Sequence, residues 1–445
     1  MRTLTTTLFI ALLAAVTLAA CDTFVSEVDE PIDVVTNDAL NTPEQVPFLI
    51  SGVEGEFASV LEDAAVQGGG LSDALFFDRQ MDGATFDTFE QIDDADIQFA
   101  NNSVDGFFNN VGQLRLYADT LVTRVENQIE FGDDQQGLRS DALFTGHFYG
   151  AVARYFYAAY FGLEAGGGGG GVINAGPFIP SSEMYDRALD KLDQAASTAT
   201  GQEALNAKYI STLRARIHLL SGEYGAAASA AANGLAQGDG TLQALYDVQA
   251  ANDFYFASGP GRTQFAAAPK LADYDGAVVY SSVAEAADAD RSVVRIPLYR
   301  SADINGDPTF LVQAKYLTRE SPIDFLTWEE NALMLAELAW RGQDISGNPF
   351  GTTDALELIN LVRAQYEGVD ALPAGTTVDQ ALIAAEREKE FFATGLRLPD
   401  QRRFDISFVR QDLDIETGAV TVNPVAGGWR HLPITQSERN QNPNL

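Results

Sequence analysis

The chain has 445 residues, 46% of them hydrophobic, and its 63 acids against 28 bases give a formal charge of −35. That length and apolar content suit one large folded unit or a few ordinary ones and exclude a wholly disordered chain. With no run of Lys and Arg to oppose it, a charge of this sign excludes nucleic acid and anionic lipid headgroups as partners held by electrostatics.

Arg2, a threonine-rich stretch and the small apolar run Leu8 to Ala20 have the order of a secretory signal over residues 1–20, too short to span a bilayer comfortably. The run ends Leu18-Ala19-Ala20-Cys21, which resembles the bacterial lipobox, and Cys21 is the only cysteine. A lone cysteine forms no internal disulfide, and one placed directly after a small-residue cleavage site is expected to carry the acyl chains of a lipoprotein. At about 0.8 kcal/mol per buried methylene, two or three such chains hold a protein on a membrane without a spanning segment. Residues 21–44, rich in Asp, Glu, Val and Thr, lack helical periodicity and read as a flexible tether.

Residues 45–445 read as one mainly α domain. Asp93, Asp94 and Asp96 are expected to open a helix, where acids favour the dipole. Leu114, Leu121 and Val125, then Phe148, Val152, Tyr155 and Ala159, outline two long helices broken near Gly132 to Gly137. The six glycines Gly166 to Gly171 read as a flexible surface loop, since neither the Lys-Ser/Thr pair nor the preceding strand of a phosphate loop is present. Three helices are expected between Pro180 and Gln237, with Ile210, Leu213, Ile217 and Leu220 on one face. Within them Ala207 to Ala236, turning at Gly222-Glu223-Tyr224, resembles a tetratricopeptide-type helix pair.

Residues of about 238–325 are aromatic, turn-rich and poor in helical periodicity. Val293 to Tyr299 and Thr309 to Tyr316 are expected as two strands joined through the Asn305-Gly306 turn. Asp303, Asn305 and Asp307 also have the alternate spacing of a calcium loop, but Pro308 and Ala314 stand where that loop wants Gly and Glu, which favours the turn. A second helical set follows over about 327–394, with Thr327 and Glu330, and Thr377 and Gln380, fitting capping boxes. The fold class expected is therefore mainly α: helix pairs over about 140–237 and 327–394, a loop-rich face, and a small β-hairpin.

No familiar catalytic set stands out. His147, His218 and His431 have no partners at metal-ligand spacing, and the first two lie in predicted helices. No Gly-x-Ser-x-Gly elbow occurs. Glu386 and Glu390 share a helical face beside Arg387 and Lys389, the pattern of a salt-bridged helix. Neither cofactor nor metal is expected. Paired carboxylates alone can hydrolyse glycosides, so among 63 acids that chemistry stays open. The acid surplus, spread along the chain, fits either a high-salt habitat or an ordinary acidic exported protein.

Three carboxyl-side stretches carry a more specific likeness. In residues 387–403, Arg387, Glu390, Gly395, Arg397, Asp400 and Arg403 fall on the closing helix-and-turn pattern of the SusD/RagB family, with Thr394 and Gln401 departing from it. Leu432-Pro433-Ile434 through Ser437-Glu438 to Asn442-Pro443-Asn444-Leu445 is similar to that family's terminus. Lys315-Tyr316, Glu329 to Trp340 and Ala355 to Arg363 resemble its paired helices, and Gly68 to Asp73 the Gly-rich turn after its first helix. In this pattern Gly395 is expected to end its helix in the left-handed conformation, and Arg397 and Asp400 to form a local ion pair.

The resemblance implies a lipoprotein on the outer face of the outer membrane. Such a protein captures nutrients, typically oligosaccharides, and passes them to a SusC-like TonB-dependent barrel; it is a binding lid, not an enzyme. Read from the residues, a sugar offers an apolar C–H face and a rim of hydroxyls, so its site needs aromatic platforms and polar side chains on loops held by a rigid scaffold. Two stretches supply them: Phe76, Phe77, Asp78, Arg79 and Phe86 in the first, and Asp253, Phe254, Tyr255, Phe256 and Tyr299 in the second. Core packing is the competing role for each aromatic. A helical-repeat adaptor for another protein and a surface glycosidase are the rival functions.

Overall fold

A computed structural model describes residues 37–198 and 203–445. The expected signal, the expected acylation site Cys21 and most of the expected tether lie outside the described residues. The last tether residues are folded: Asn37–Leu40 makes a 3-10 turn, and Arg124 Nη1 donates to Asn41 Oδ1 at 2.5 Å and to Asn37 O at 3.2 Å.

Helix α1, Val46–Leu71, buries Val53, Phe57, Val60, Leu61 and Ala64 at helical spacing. Gly68 to Gly70, expected in the following turn, lie inside its last turns. Close packing asks for them there, because a Cβ at Gly70 would stand 2.3 Å from the Phe265 ring. Helix α2 is Asp87–Asp93. Asp93 therefore ends a helix instead of opening one, and its buried carboxylate accepts from Phe77 N at 3.2 Å.

The two long helices are α3, Asn102–Asn127, and α4, Gln136–Tyr160, broken at the 3-10 turn Asp133–Gln135. Asn101 caps α3, its side chain accepting from Ser103 N and Val104 N at 3.1 Å each. From Ala142 onward α4 is buried almost all round, since α1, α3 and helix α5, Ser181–Thr198, pack against it. The glycine run is only half a surface loop: Gly166 to Gly168 are exposed, while Gly170–Gly171 is a buried strand paired antiparallel with Ile179–Pro180.

Helices α6, Glu203–Leu220, and α7, Tyr224–Ala231, form the expected pair, and α10, Trp328–Trp340, packs on both. Between them stand the short helices α8, Phe254–Ala257, and α9, Val283–Asp288. The strands Ile296–Ser301 and Phe310–Gln313 are the expected hairpin, and Ala277–Tyr280 joins it in parallel to make three strands. Asp303 organises its loop, accepting from Asn305 N at 2.7 Å, Asp307 N at 3.1 Å and Thr309 Oγ1 at 2.9 Å, as a turn-forming Asp does.

Thr327 caps α10 by accepting from Glu330 N at 3.1 Å, but the Glu330 side chain is turned away to Arg216, so only half of the capping box exists. After α11, Ala355–Arg363, helix α12, Gln380–Glu390, is capped by Asp379, which accepts from Leu382 N at 2.9 Å; Thr377 plays no such part. The terminus closes with helix α13, Arg397–Arg403, the hairpin Val409–Leu413 with Val420–Pro424, strand Leu432–Pro433 and helix α14, Gln436–Gln441. Leu432–Pro433 pairs in parallel with Phe161–Gly162. Asn442 and Asn444 donate through their side chains to Gly176 O and Ala175 O, each at 2.8 Å.

The family-like segment 387–403 is a web of buried ion pairs. Gly395 has φ +86 and joins α12 to α13 against α1, where a Cβ would stand 2.6 Å from Ala64 O. The expected local pair Arg397 with Asp400 does not form. Arg397 instead grips Asp73 bidentately, at 2.5 and 2.7 Å, while Asp400 is shared by Arg387 at 2.8 Å and Arg403 at 2.7 Å. Glu386 is salt-bridged as its helical spacing suggested, to Lys389 at 2.9 Å, and also to Arg295 and Arg363 from other elements. No helix of the described residues is long and apolar enough to cross a membrane.

Candidate functional site

A cleft of about 580 Å³ opens where α1, α2, the start of α3 and the loop after α8 converge. Its walls carry three aromatic rings. Phe86 is 44% exposed, Phe89 lies 6.0 Å from it, and Phe256 stands opposite on the short helix α8. The loop that presents Phe86 is pinned by Gln264, whose Oε1 accepts from Thr85 N and Phe86 N at 3.0 Å each. The Arg262 guanidinium sits 4.3 Å from the Phe86 ring centroid and steadies the ring by a cation–π contact.

Besides Arg262 and Gln264 on the loop, polar groups of the cleft come from helices. Asp63 on α1 accepts from Gln67 Nε2 at 3.0 Å and from Asn110 Nδ2, on α3, at 2.9 Å. Burial pushes its carboxyl up to about 7 despite those donors. Beside the cleft, Glu62 accepts from Asp253 N at 2.7 Å, and burial raises it further, to about 9. Desolvation raises Asp253 as well. Carboxyl groups that hold a proton near neutrality can donate as well as accept, which matches the dual character of a hydroxyl.

The residues expected from the sequence divide sharply. Phe86 and Asp253 line the cleft. Tyr255 is half-buried just behind it, edge-on to Phe256 at 5.0 Å. Phe76 and Phe77 are fully buried, Phe76 facing Phe310 at 6.1 Å, and so form core instead of a surface platform. Phe254 is buried against Tyr316, and Tyr299 packs with Tyr280 and Val312 in an apolar cluster under the hairpin. Asp78 is buried and ties its own turn, accepting from Gln80 N at 2.8 Å. Arg79 is exposed, but it is committed to Asp87 at 2.7 Å and to Glu90, bracing α2 outside the cleft.

Reading loops alone missed Asp63, Gln67 and Asn110, because they stand on helices. The polar break at Glu62-Asp63 within an otherwise buried stretch of α1 was the available signal. Among the described residues, no group of three or more His, Cys, Asp or Glu is placed to hold a metal ion.

No family model and no curated protein matches the chain. Solved structures do. A SusD superfamily protein from Bacteroides vulgatus is 15% identical, with 91% of this chain and 98% of that one covered at a TM-score of 0.66. A SusD-like carbohydrate binding protein from the same species is 12% identical over 91% and 97%, at 0.63. A laminarin binding SusD-like protein is 13% identical over 81% and 91%, at 0.58. Identities this low speak for the fold, and the chain has the mainly helical fold of the SusD/RagB-like family.

Proposed function

We propose that the chain is a glycan-binding protein that holds its ligand in the cleft around Phe86 without cleaving it. The observation that carries this reading is an exposed aromatic ring, backed by Arg262 and faced by hydrogen-bonding groups from two rigid helices. The ring offers a face to sugar C–H groups, while Asp63, Asn110 and Asp253 offer partners to hydroxyls. Solved proteins of the same fold described as carbohydrate-binding and laminarin-binding lend it support. The lipobox-like run ending at Cys21 supports a lipid anchor, and the reading places that anchor in the outer membrane with the domain facing outward. From there the ligand passes to a SusC-like TonB-dependent barrel.

The test is a panel of neutral polysaccharides run through affinity gels, with product analysis. Retarded migration on at least one glycan with no released fragments supports capture. Released fragments support a glycosidase, and silence on every glycan supports an adaptor or a non-sugar nutrient.

A further inference from the structure

A second hollow, of about 640 Å³, shares no lining residue with the cleft. It is bounded by the end of α13, the turn that follows, the two strands of the carboxyl-terminal hairpin and the approach to strand Leu432–Pro433, with Gly167 at its rim. The charged side chains lining it are Arg402, Arg430 and Asp405.

In this acidic chain the neighbouring arginines are neutralised: Arg387, Arg397 and Arg403 each meet a carboxylate within 2.8 Å. Arg402 and Arg430 meet none among the described residues. Arg402 Nη1 donates to Arg430 O at 2.8 Å and its Nη2 to Ala159 O, so its hydrogen bonds go to carbonyl oxygens and not to a carboxylate. Burial accordingly pulls its pKa down to about 10. Arg430 donates from Nη1 to Trp429 O at 2.9 Å, which leaves Nε and Nη2 as a free fork. Its guanidinium lies 4.5 Å from the Phe408 ring centroid, a stack that fixes the plane of that fork. His431 adds no charge, since burial and Arg402 hold its imidazole neutral, and its buried Nδ1 has no partner. Asp405 is exposed, with φ +55, and pairs with neither arginine.

A planar two-oxygen anion is the natural complement of a free guanidinium fork. The hollow is far roomier than a bare ion needs and falls in the size range of small-molecule sites, roughly 300–1,000 Å³. Ile406, Phe408 and Pro424 provide apolar wall beside the fork. We infer that this hollow binds an acidic sugar, a hexuronate whose carboxylate is received by Arg430 with Arg402 adding charge, and whose ring lies on the apolar wall.

The experiment is calorimetric titration of the full chain with trigalacturonate, its methyl ester, acetate and sulfate. Trigalacturonate is expected to bind at least tenfold more tightly than the ester. Arg430→Gln is expected to lose at least tenfold in that affinity, while Asp405→Asn, which removes the one opposing charge and suits the left-handed backbone, gains two- to fivefold. Equal affinity for acid and ester overturns the inference, as does acetate or sulfate binding as tightly as the sugar. So does loss of trigalacturonate binding in Phe86→Ala with Arg430→Gln unaffected, which would move the acidic sugar to the cleft.

Discussion

Arg216 on α6 and Glu330 on α10 face each other as a two-bonded pair in the interior, Nε to Oε1 at 2.6 Å and Nη2 to Oε2 at 2.5 Å, with both side chains at most 2% exposed. The guanidinium also donates to Phe325 O and lies 4.6 Å from the Phe325 ring centroid. One ion pair thus clamps the two helical blocks across more than a hundred residues of sequence.

Removing one partner leaves the other buried and unanswered. Glu330→Gln is expected to cost about 3–5 kcal/mol, whereas the double change Arg216→Met with Glu330→Leu costs less than either single change. Urea unfolding of Glu330→Gln, of Arg216→Met, of Glu330→Leu and of the double variant checks this; a double variant less stable than either of its singles would sink it.

At Gly395, alanine would have to keep a left-handed backbone and place a methyl group against Ala64 O. Gly395→Ala is expected to lose roughly 2–3 kcal/mol by strain and displacement of α1, a size typical of enforced backbone outliers. Gly347, also left-handed at φ +79 but with open space around its Cα, should lose less on the same substitution. Thermal melts that rank the two the other way would contradict the packing argument.

The raised carboxyls make the fold sensitive to alkali. Below the ordinary value of 4.5 Glu62 is protonated both folded and unfolded, and its contribution is fully present. Between 4.5 and about 9 the unfolded chain gives up the proton while the folded one keeps it, so stability falls as pH rises. Glu62→Gln is expected to match the parent in melting temperature at pH 4 and to exceed it at pH 8. A parallel pair of pH curves would refute this. Asp73, held down to about 2 by Arg397 and Lys270, works the other way and is lost only as pH falls below its ordinary 3.8 toward 2.

In the cleft, Phe86 is exposed and supports no core. Phe86→Ala is expected to weaken glycan binding about tenfold, the size of one lost aromatic face, with little change in melting temperature. Titration beside a melt separates the two effects; unchanged affinity removes Phe86 from the site.

For the anchor, Cys21→Ser is expected to shift the protein from the membrane fraction to the soluble one, since no thiol is left to acylate. Fractionation and mass spectrometry of the mature terminus check it, and a parent chain that carries no acyl group refutes the anchor outright.

Much of the scaffold was legible because periodicity is a local signal. Phe148, Val152, Tyr155 and Ala159 announce α4 directly, and Asn305-Gly306 announces the hairpin. Partners chosen across the chain were not. Arg397 has Asp400 three residues away, yet it pairs with Asp73, and Asp379 outcompetes Thr377 for the start of α12 by standing next to it. The cleft failed in the same way. Phe76 and Phe77 look like loop aromatics because their stretch lacks a helical period, but burial depends on the Phe310 strand and α1 closing over them. Asp63 and Asn110 look like ordinary helix-surface residues until α1 and α3 are set side by side.

Leu432–Pro433 completes a ladder begun at Phe161, and Asn442 and Asn444 fasten the loop around Ala175. Segments more than 250 residues apart in sequence are thereby sewn into one edge. A cut between Gly428 and Leu432 would therefore strip Phe161–Gly162 of its neighbour, and the segment just after α4 should then become open to protease.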